Sequence, residues 1–96
     1  MDDQRLSLSL AALGHPTRLS LFRRLLAAGQ AGRGPTALAD EEGLERNLVS
    51  YHLKPLVAAG LVRSERRGRD VIYSIEGSRL TEVALAFQGL ALLRVW

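Results

Sequence analysis

Cysteine is absent from this 96-residue sequence. That excludes disulfides, thiolate nucleophiles and thiolate metal sites, and it fits a cytoplasmic protein. Histidine is scarce, with His15 and His52 the only two. No apolar run approaches the ~20 residues of a membrane span. The opening MDDQRLSLSL is acidic and lacks a basic n-region, so a signal peptide is not expected. Repeats, low-complexity stretches and linkers are missing too, so residues 1–96 are expected to form one domain. A chain this short buries roughly 60–70% of its unfolded surface, enough for one modest core. Its apolar fraction of 47% is that of a globular chain rather than a disordered one.

Catalysis also lacks its parts. No Ser stands in a motif with a His/Asp partner, and no loop is built to cradle phosphate. The segment Gly29–Gly34 is Gly-rich, but it follows an expected helix where a nucleotide loop follows a strand. No enzyme activity, cofactor or metal site is therefore expected.

What is present is an uneven charge distribution. Residues 1–45 hold five Arg against six Asp or Glu. Residues 46–69 hold Arg46, Lys54, Arg63, Arg66, Arg67 and Arg69 against Glu65 alone. The formal net charge of +3 is thus concentrated in one block. Such a block reads as a nucleic-acid footprint; a solvated charged surface is the plainer alternative.

The block centres on Arg46–Ala59. Val49, Leu53, Leu56 and Val57 recur at i, i+4, i+7 and i+8, the stripe a helix buries. Asn47, Ser50, Tyr51 and Lys54 share the opposite face, with Arg46 at its start. These side chains are of the types that read bases and hold phosphates. Pro55 falls inside this helix and predicts a kink beyond the reading residues.

Around it the order predicts four helices, two strands and a last helix. Asp2–Leu13 reads as a helix with Leu6, Leu10 and Leu13 inward, ended by Gly14 as a C′ residue. Pro16 starts the second helix with His15 at or near its N-cap. There Leu19, Phe22, Leu25 and Leu26 read as buried, and Arg18, Arg23 and Arg24 as outward. Pro35 or Thr36 opens a short third helix with Leu38 and Ala39 inward. Its acidic end, Asp40-Glu41-Glu42, reads as solvated. A short helix, a turn and a longer polar-faced helix make a helix-turn-helix.

Leu61–Arg67 and Asp70–Ile75 read as an antiparallel hairpin turning at Gly68. Its Arg66, Arg67 and Arg69 make it a wing able to reach phosphates or a minor groove. Ser78–Val95 reads as the last helix, with Leu80, Val83, Ala84, Phe87, Leu90 and Ala91 in one stripe. Leu92, Leu93 and Trp96 add apolar surface on another side. That is more apolar surface than one small core needs. A dimer interface formed with the first helix is expected, at Leu6, Leu10, Leu80, Val83, Phe87 and Leu90. The fold class is therefore mainly α with a small hairpin, a winged helix-turn-helix of order α-α-α-α-β-β-α, dimeric through its first and last helices.

Specific residues join this order. Ala12-Leu13-Gly14-His15-Pro16-Thr17-Arg18, Val49-Ser50-Tyr51-His52-Leu53-Lys54 with Leu56, Ala59-Gly60-Leu61-Val62, and Arg67-Gly68-Arg69 before Ile72-Tyr73 resemble the ArsR/SmtB family of winged-helix repressors. The resemblance covers roughly residues 8–90. It implies a homodimer that binds an inverted-repeat operator in double-stranded DNA, usually as a repressor. It places Asn47, Ser50, Tyr51 and Lys54 against DNA, with the wing arginines matched by position. His15 and His52 coincide with motif positions, as a helix cap and a flank residue. The sequence departs from the metal-sensing members: it has no Cys pair, and its last helix has Glu82 as its only acid and no His. An effector, whether a small ligand or a partner protein, stays unidentified. The alternative is a winged-helix module that docks a protein partner through the apolar last helix.

Overall fold

Asp2 opens the first helix by accepting the N–H of Arg5 on its carboxylate at 2.8 Å. The computed structural model describes residues 1–93. Its elements are α1 (Asp3–Leu13), α2 (Pro16–Ala28), a 3-10 turn (Gly29–Ala31), α3 (Pro35–Glu42), α4 (Arg46–Ala58), β1 (Val62–Arg67), β2 (Asp70–Ile75) and α5 (Gly77–Leu92). The order expected from the sequence is therefore the order observed. The expected contributions of Val95 and Trp96 lie outside the described residues.

The buried faces are where expectation and structure part. In α1 the buried residues are Leu6, Ser9 and Ala12, while Leu10 is exposed. Ser9 and Ala12 are small, so this face lets α1 lie close to α2 and α4. In α2 the buried set is Leu21, Phe22 and Leu25. Leu19 and Leu26 stay exposed, contrary to the expected stripe. A Leu-rich helix offers two overlapping stripes, and spacing alone cannot choose between them.

Arg18 does not face out. Its Nε donates to the Ala12 carbonyl at 2.7 Å, satisfying the end of α1 and tying it to α2. Gly14 keeps an ordinary φ of −79° rather than a left-handed one. The turn of the helix-turn-helix does use a left-handed residue, Gly43, at φ 68°.

In α4, Val49, Leu53 and Leu56 are buried as expected, with His52 added to them. They join Leu21, Leu25, Leu38, Leu61 and Val62 in one core. In α5 only Val83 is buried; Leu80 and Ala86 are half-buried. The continuous buried stripe expected there is not formed within the protomer. Leu6 and Val83, read from the sequence as dimer contacts, are only 7% and 5% exposed. They lie in the protomer's own core because α1 and α5 pack against each other there.

The hairpin pairs Val62 with Ile75 through to Arg67 with Asp70. A third segment, within the Gly-rich stretch ahead of α3, joins it: Arg33 bridges Tyr73 in antiparallel fashion. Gly32 makes this possible. Its φ is 70°, and a Cβ there would stand 2.4 Å from the Tyr73 carbonyl oxygen.

Candidate nucleic-acid interface

The surface begins at the N-terminus of α4. Glu45 occupies the N-cap, but its side chain makes no capping bond. The Leu48 N–H donates to the Glu45 carbonyl at 3.1 Å. The N–H groups of Arg46 and Asn47 are thus the ones left without a cap, and the helix dipole adds partial positive charge there. Arg46, Asn47, Tyr51 and Lys54 all project from this end and are exposed; Ser50 is half-buried among them. The inward stripe of α4 packs on α2 and α3, so the polar stripe is forced outward.

Beside it lies a groove of about 310 Å³ between α4 and the wing, lined by Ser50, Lys54, Val57, Ala58, Ser64 and Tyr73. Its polar lining is three hydroxyls and one ammonium. Such a set suits a phosphate oxygen and has no carboxylate to repel it. Ser64 and Tyr73 pair across the hairpin. The sequence reading assigned no site role to either. A signal existed: Ser64 lies two residues before Arg66, and in a strand that puts both on one face.

The same alternation separates the wing arginines. Arg66 shares the face of Ser64, and Arg69 sits in the two-residue loop with Gly68, whose φ is 66°. Arg67 lies on the other face. Its guanidinium donates to the Ala31 carbonyl and to Glu65, each at 3.3 Å. Arg63 also lies there and donates to Ser74 Oγ at 3.3 Å. The structure thus brings Ser50 and Lys54 together with Ser64 and Tyr73 in one groove, with Arg66 on the face of Ser64, while Arg67 turns away toward the 3-10 turn.

The acidic end of α3 is solvated only in part: Asp40 and Glu41 are exposed as expected, and Glu42 is not. Glu42 accepts from Ser20 at 2.7 Å and pairs with Arg24, and its side chain is 9% exposed. Glu41 pairs with Arg24 and Arg33. Burial pushes the Glu42 carboxyl up, but the Arg24 and Ser20 hydrogen bonds outweigh it and hold its pKa below the usual value. These pairs clamp α3 to α2 and neutralise carboxylates on the positioning helix. The reason lies in the fold: α2 and the segment ahead of α3 set their arginines alongside.

His15 caps α2, its Nδ1 accepting the Thr17 N–H at 3.1 Å. His52 is buried against it, with ring centroids 4.7 Å apart. Among the described residues no group of three or more His, Cys, Asp or Glu is placed to hold a metal. No helix among them is long and apolar enough to cross a membrane.

Residues 13–65 match a family model described as a helix-turn-helix domain. Over 76 residues the chain is 37% identical to the HTH-type transcriptional repressor SmtB of Mycobacterium tuberculosis (strain H37Rv), covering 79% of this chain and 54% of that protein. The chain spans a little over half the length of the curated relatives it matches. In structure it is similar to an ArsR-like transcriptional regulator from Rhodococcus sp. RHA1, with a TM-score of 0.79 and 29% identity over 93% of this chain and 81% of that one. It is also similar to a homodimeric winged helix-turn-helix DNA-binding domain from Mycobacterium bovis. There the TM-score is 0.71 and the identity 25%, over 97% of this chain and 86% of that one.

Proposed function

The chain belongs to the ArsR/SmtB family of winged helix-turn-helix regulators, and from that premise we propose that it is a homodimeric transcriptional repressor that binds an inverted-repeat operator. Residues 1–96 act as one DNA-binding domain in the cytoplasm. The observation that carries the proposal is the shared exposure of Arg46, Asn47, Tyr51 and Lys54 beside a groove of hydroxyls and one ammonium, continued by Arg66 and Arg69. In this reading the N-terminal turn of α4 enters the major groove and the wing follows the backbone. Asn47, Ser50, Tyr51 and Lys54 set register and base preference, while Arg46, Arg66 and Arg69 supply sequence-independent attraction, with Arg67 contributing less from the far face of the wing.

Two reading heads fit successive major grooves when two copies pair. The half of α5 that stays exposed among the described residues supports this pairing. Phe87 and Leu90 are 56% and 49% exposed, and Leu10 of α1 is 39% exposed. A groove between α1 and α5, lined by Leu6, Leu10 and Leu90, continues the same surface. Leu80 extends it at half exposure. The same exposed helix also favours the second reading, a module that docks a different protein there.

Selection from a random duplex pool, followed by gel shift over a salt series, tests the function. An enriched palindromic sequence with steep salt dependence is expected. Retention of no duplex at low salt would sink it. Analytical ultracentrifugation separates the two readings of α5: a stable dimer supports the repressor, and a monomer that needs another protein supports the module.

A further inference from the structure

Three rings stand in file between α2 and the reading face. His15 is anchored at one end as the N-cap of α2. His52 packs on it at 4.7 Å with the planes inclined by 39°. Tyr51 then packs edge-on to His52 at 5.4 Å and 73°. The middle ring is 9% exposed, and its Nδ1 has no hydrogen-bond partner among the described residues. The last ring is 64% exposed. An exposed aromatic side chain samples its rotamers freely unless something backs it. Here the backing is an imidazole whose own neighbour is pinned by a backbone hydrogen bond.

We propose that His52 is a positioning residue for operator recognition: it carries the fixed orientation of His15 to the Tyr51 phenol, and it does so only while its own imidazole is neutral. This rests on the DNA-binding function proposed above. His15 enters this arrangement with its Nδ1 lone pair accepting the Thr17 N–H. The groups that face His52 are His15 and Arg18 from α2 and the Tyr51 phenol on its own helix. Burial first, then the nearby His15 and Arg18, hold the His52 pKa below the usual histidine value. Protonation therefore places a second cation beside Arg18 in a buried site with no carboxylate partner. The pair of rings separates, and Tyr51 loses its support.

The sign follows. Operator preference is complete above the ordinary histidine range and falls as the pH drops through the depressed range of His52. Attraction to phosphate gains a cation over the same interval, so binding to unrelated DNA does not fall with it.

The test uses a duplex selected by the wild-type protein at about pH 7.5 and a scrambled duplex of the same composition, both titrated again near pH 5.5. The readout is the ratio of the two affinities, with circular dichroism confirming the fold at each pH. His52→Ala is expected to lower the ratio about tenfold while leaving the scrambled duplex unaffected. His52→Phe, which keeps a ring but cannot titrate, is expected to restore the ratio and remove its pH dependence. Should His52→Ala not fold, Tyr51→Ala serves instead: it is expected to show the lowered ratio at both pH values. A wild-type ratio that stays constant as the titration is carried down to the pH at which circular dichroism reports loss of the fold, or a pH dependence that persists in His52→Phe, overturns the positioning role. Both results still presuppose a bound duplex. If selection enriches none, the DNA-binding function fails first, and the role of His52 falls with it.

Discussion

Arg33 and Tyr73 exchange both backbone hydrogen bonds, each at 2.9 Å, and so stitch the chain ahead of α3 to the strand that carries the wing. The approach is close enough that Gly32 has no room for a side chain. A Cβ there would meet the Tyr73 carbonyl oxygen at 2.4 Å and Ile72 Cγ2 at 2.6 Å. Gly32→Ala is expected to destabilise the fold by about 2 kcal/mol or more, from left-handed strain and the broken bridge. Gly29→Ala shares the positive φ but meets nothing within 4 Å. It should cost the backbone strain alone, about 1–3 kcal/mol and less than Gly32→Ala. Urea unfolding of the two variants measures the difference; equal midpoints would show that the bridge contributes nothing.

The wing arginines are not equivalent. Arg66 and Arg69 are exposed with no side-chain hydrogen bond among the described residues, whereas Arg67 is held by Ala31 and Glu65. Replacing Arg66 or Arg69 by Ala is expected to weaken binding to every duplex and reduce the salt slope by about one charge. Arg67→Ala should change that slope less. Gel shifts at several salt concentrations rank the three.

Base reading is expected to concentrate on the first two turns of α4. Asn47→Ala should cost about 1–3 kcal/mol at one operator position and leave affinity for unrelated duplex nearly intact. Competition with singly substituted operators locates the position. A uniform loss across all sequences would reassign Asn47 to phosphate.

The Glu42 clamp predicts an acid-sensitive contribution to stability. Its folded pKa lies below the ordinary carboxylate value. The contribution is therefore present above that ordinary value and is lost as pH falls through the lower, folded value. Glu42→Gln is expected to lower stability near neutral pH by about 1 kcal/mol, a figure kept small because Arg24 is 35% exposed in the pair. The variant should also show a flatter dependence below about pH 5. Thermal melts from neutral pH into acid compare the two profiles.

Charge placed on the exposed half of α5 should separate the copies. Phe87→Glu or Leu90→Glu is expected to yield a folded monomer, because both side chains are already exposed in the protomer. Val83→Glu should instead unfold the protein, since that side chain is 5% exposed. Sedimentation together with circular dichroism distinguishes the outcomes.

Much of the candidate site was readable because its signals are local. Asn47, Tyr51 and Lys54 share a helical face by spacing alone, and the inward Val49, Leu53 and Leu56 leave them only one direction to point. What escaped was non-local. Ser64 and Tyr73 line the groove only because the hairpin folds back beside α4. Glu42 is buried only because Ser20 and Arg24, 22 and 18 residues away, come alongside it. The choice of Leu21 over Leu19 in α2 depends on which neighbours α2 meets.

The sequence by itself determined the order of elements, the recognition helix with its outward polar face, the Gly68 turn of the wing and the concentration of positive charge over residues 46–69. Each follows from periodicity, turn chemistry or composition, which act over a few residues. Only the tertiary structure decided that Arg67 faces away from the groove, that Arg33 and Tyr73 bridge, that Leu6 and Val83 belong to the protomer's core, and that His15, His52 and Tyr51 stand in file. Those facts depend on packing between elements far apart in the chain, where burial and backbone hydrogen bonding choose among faces that spacing leaves equal.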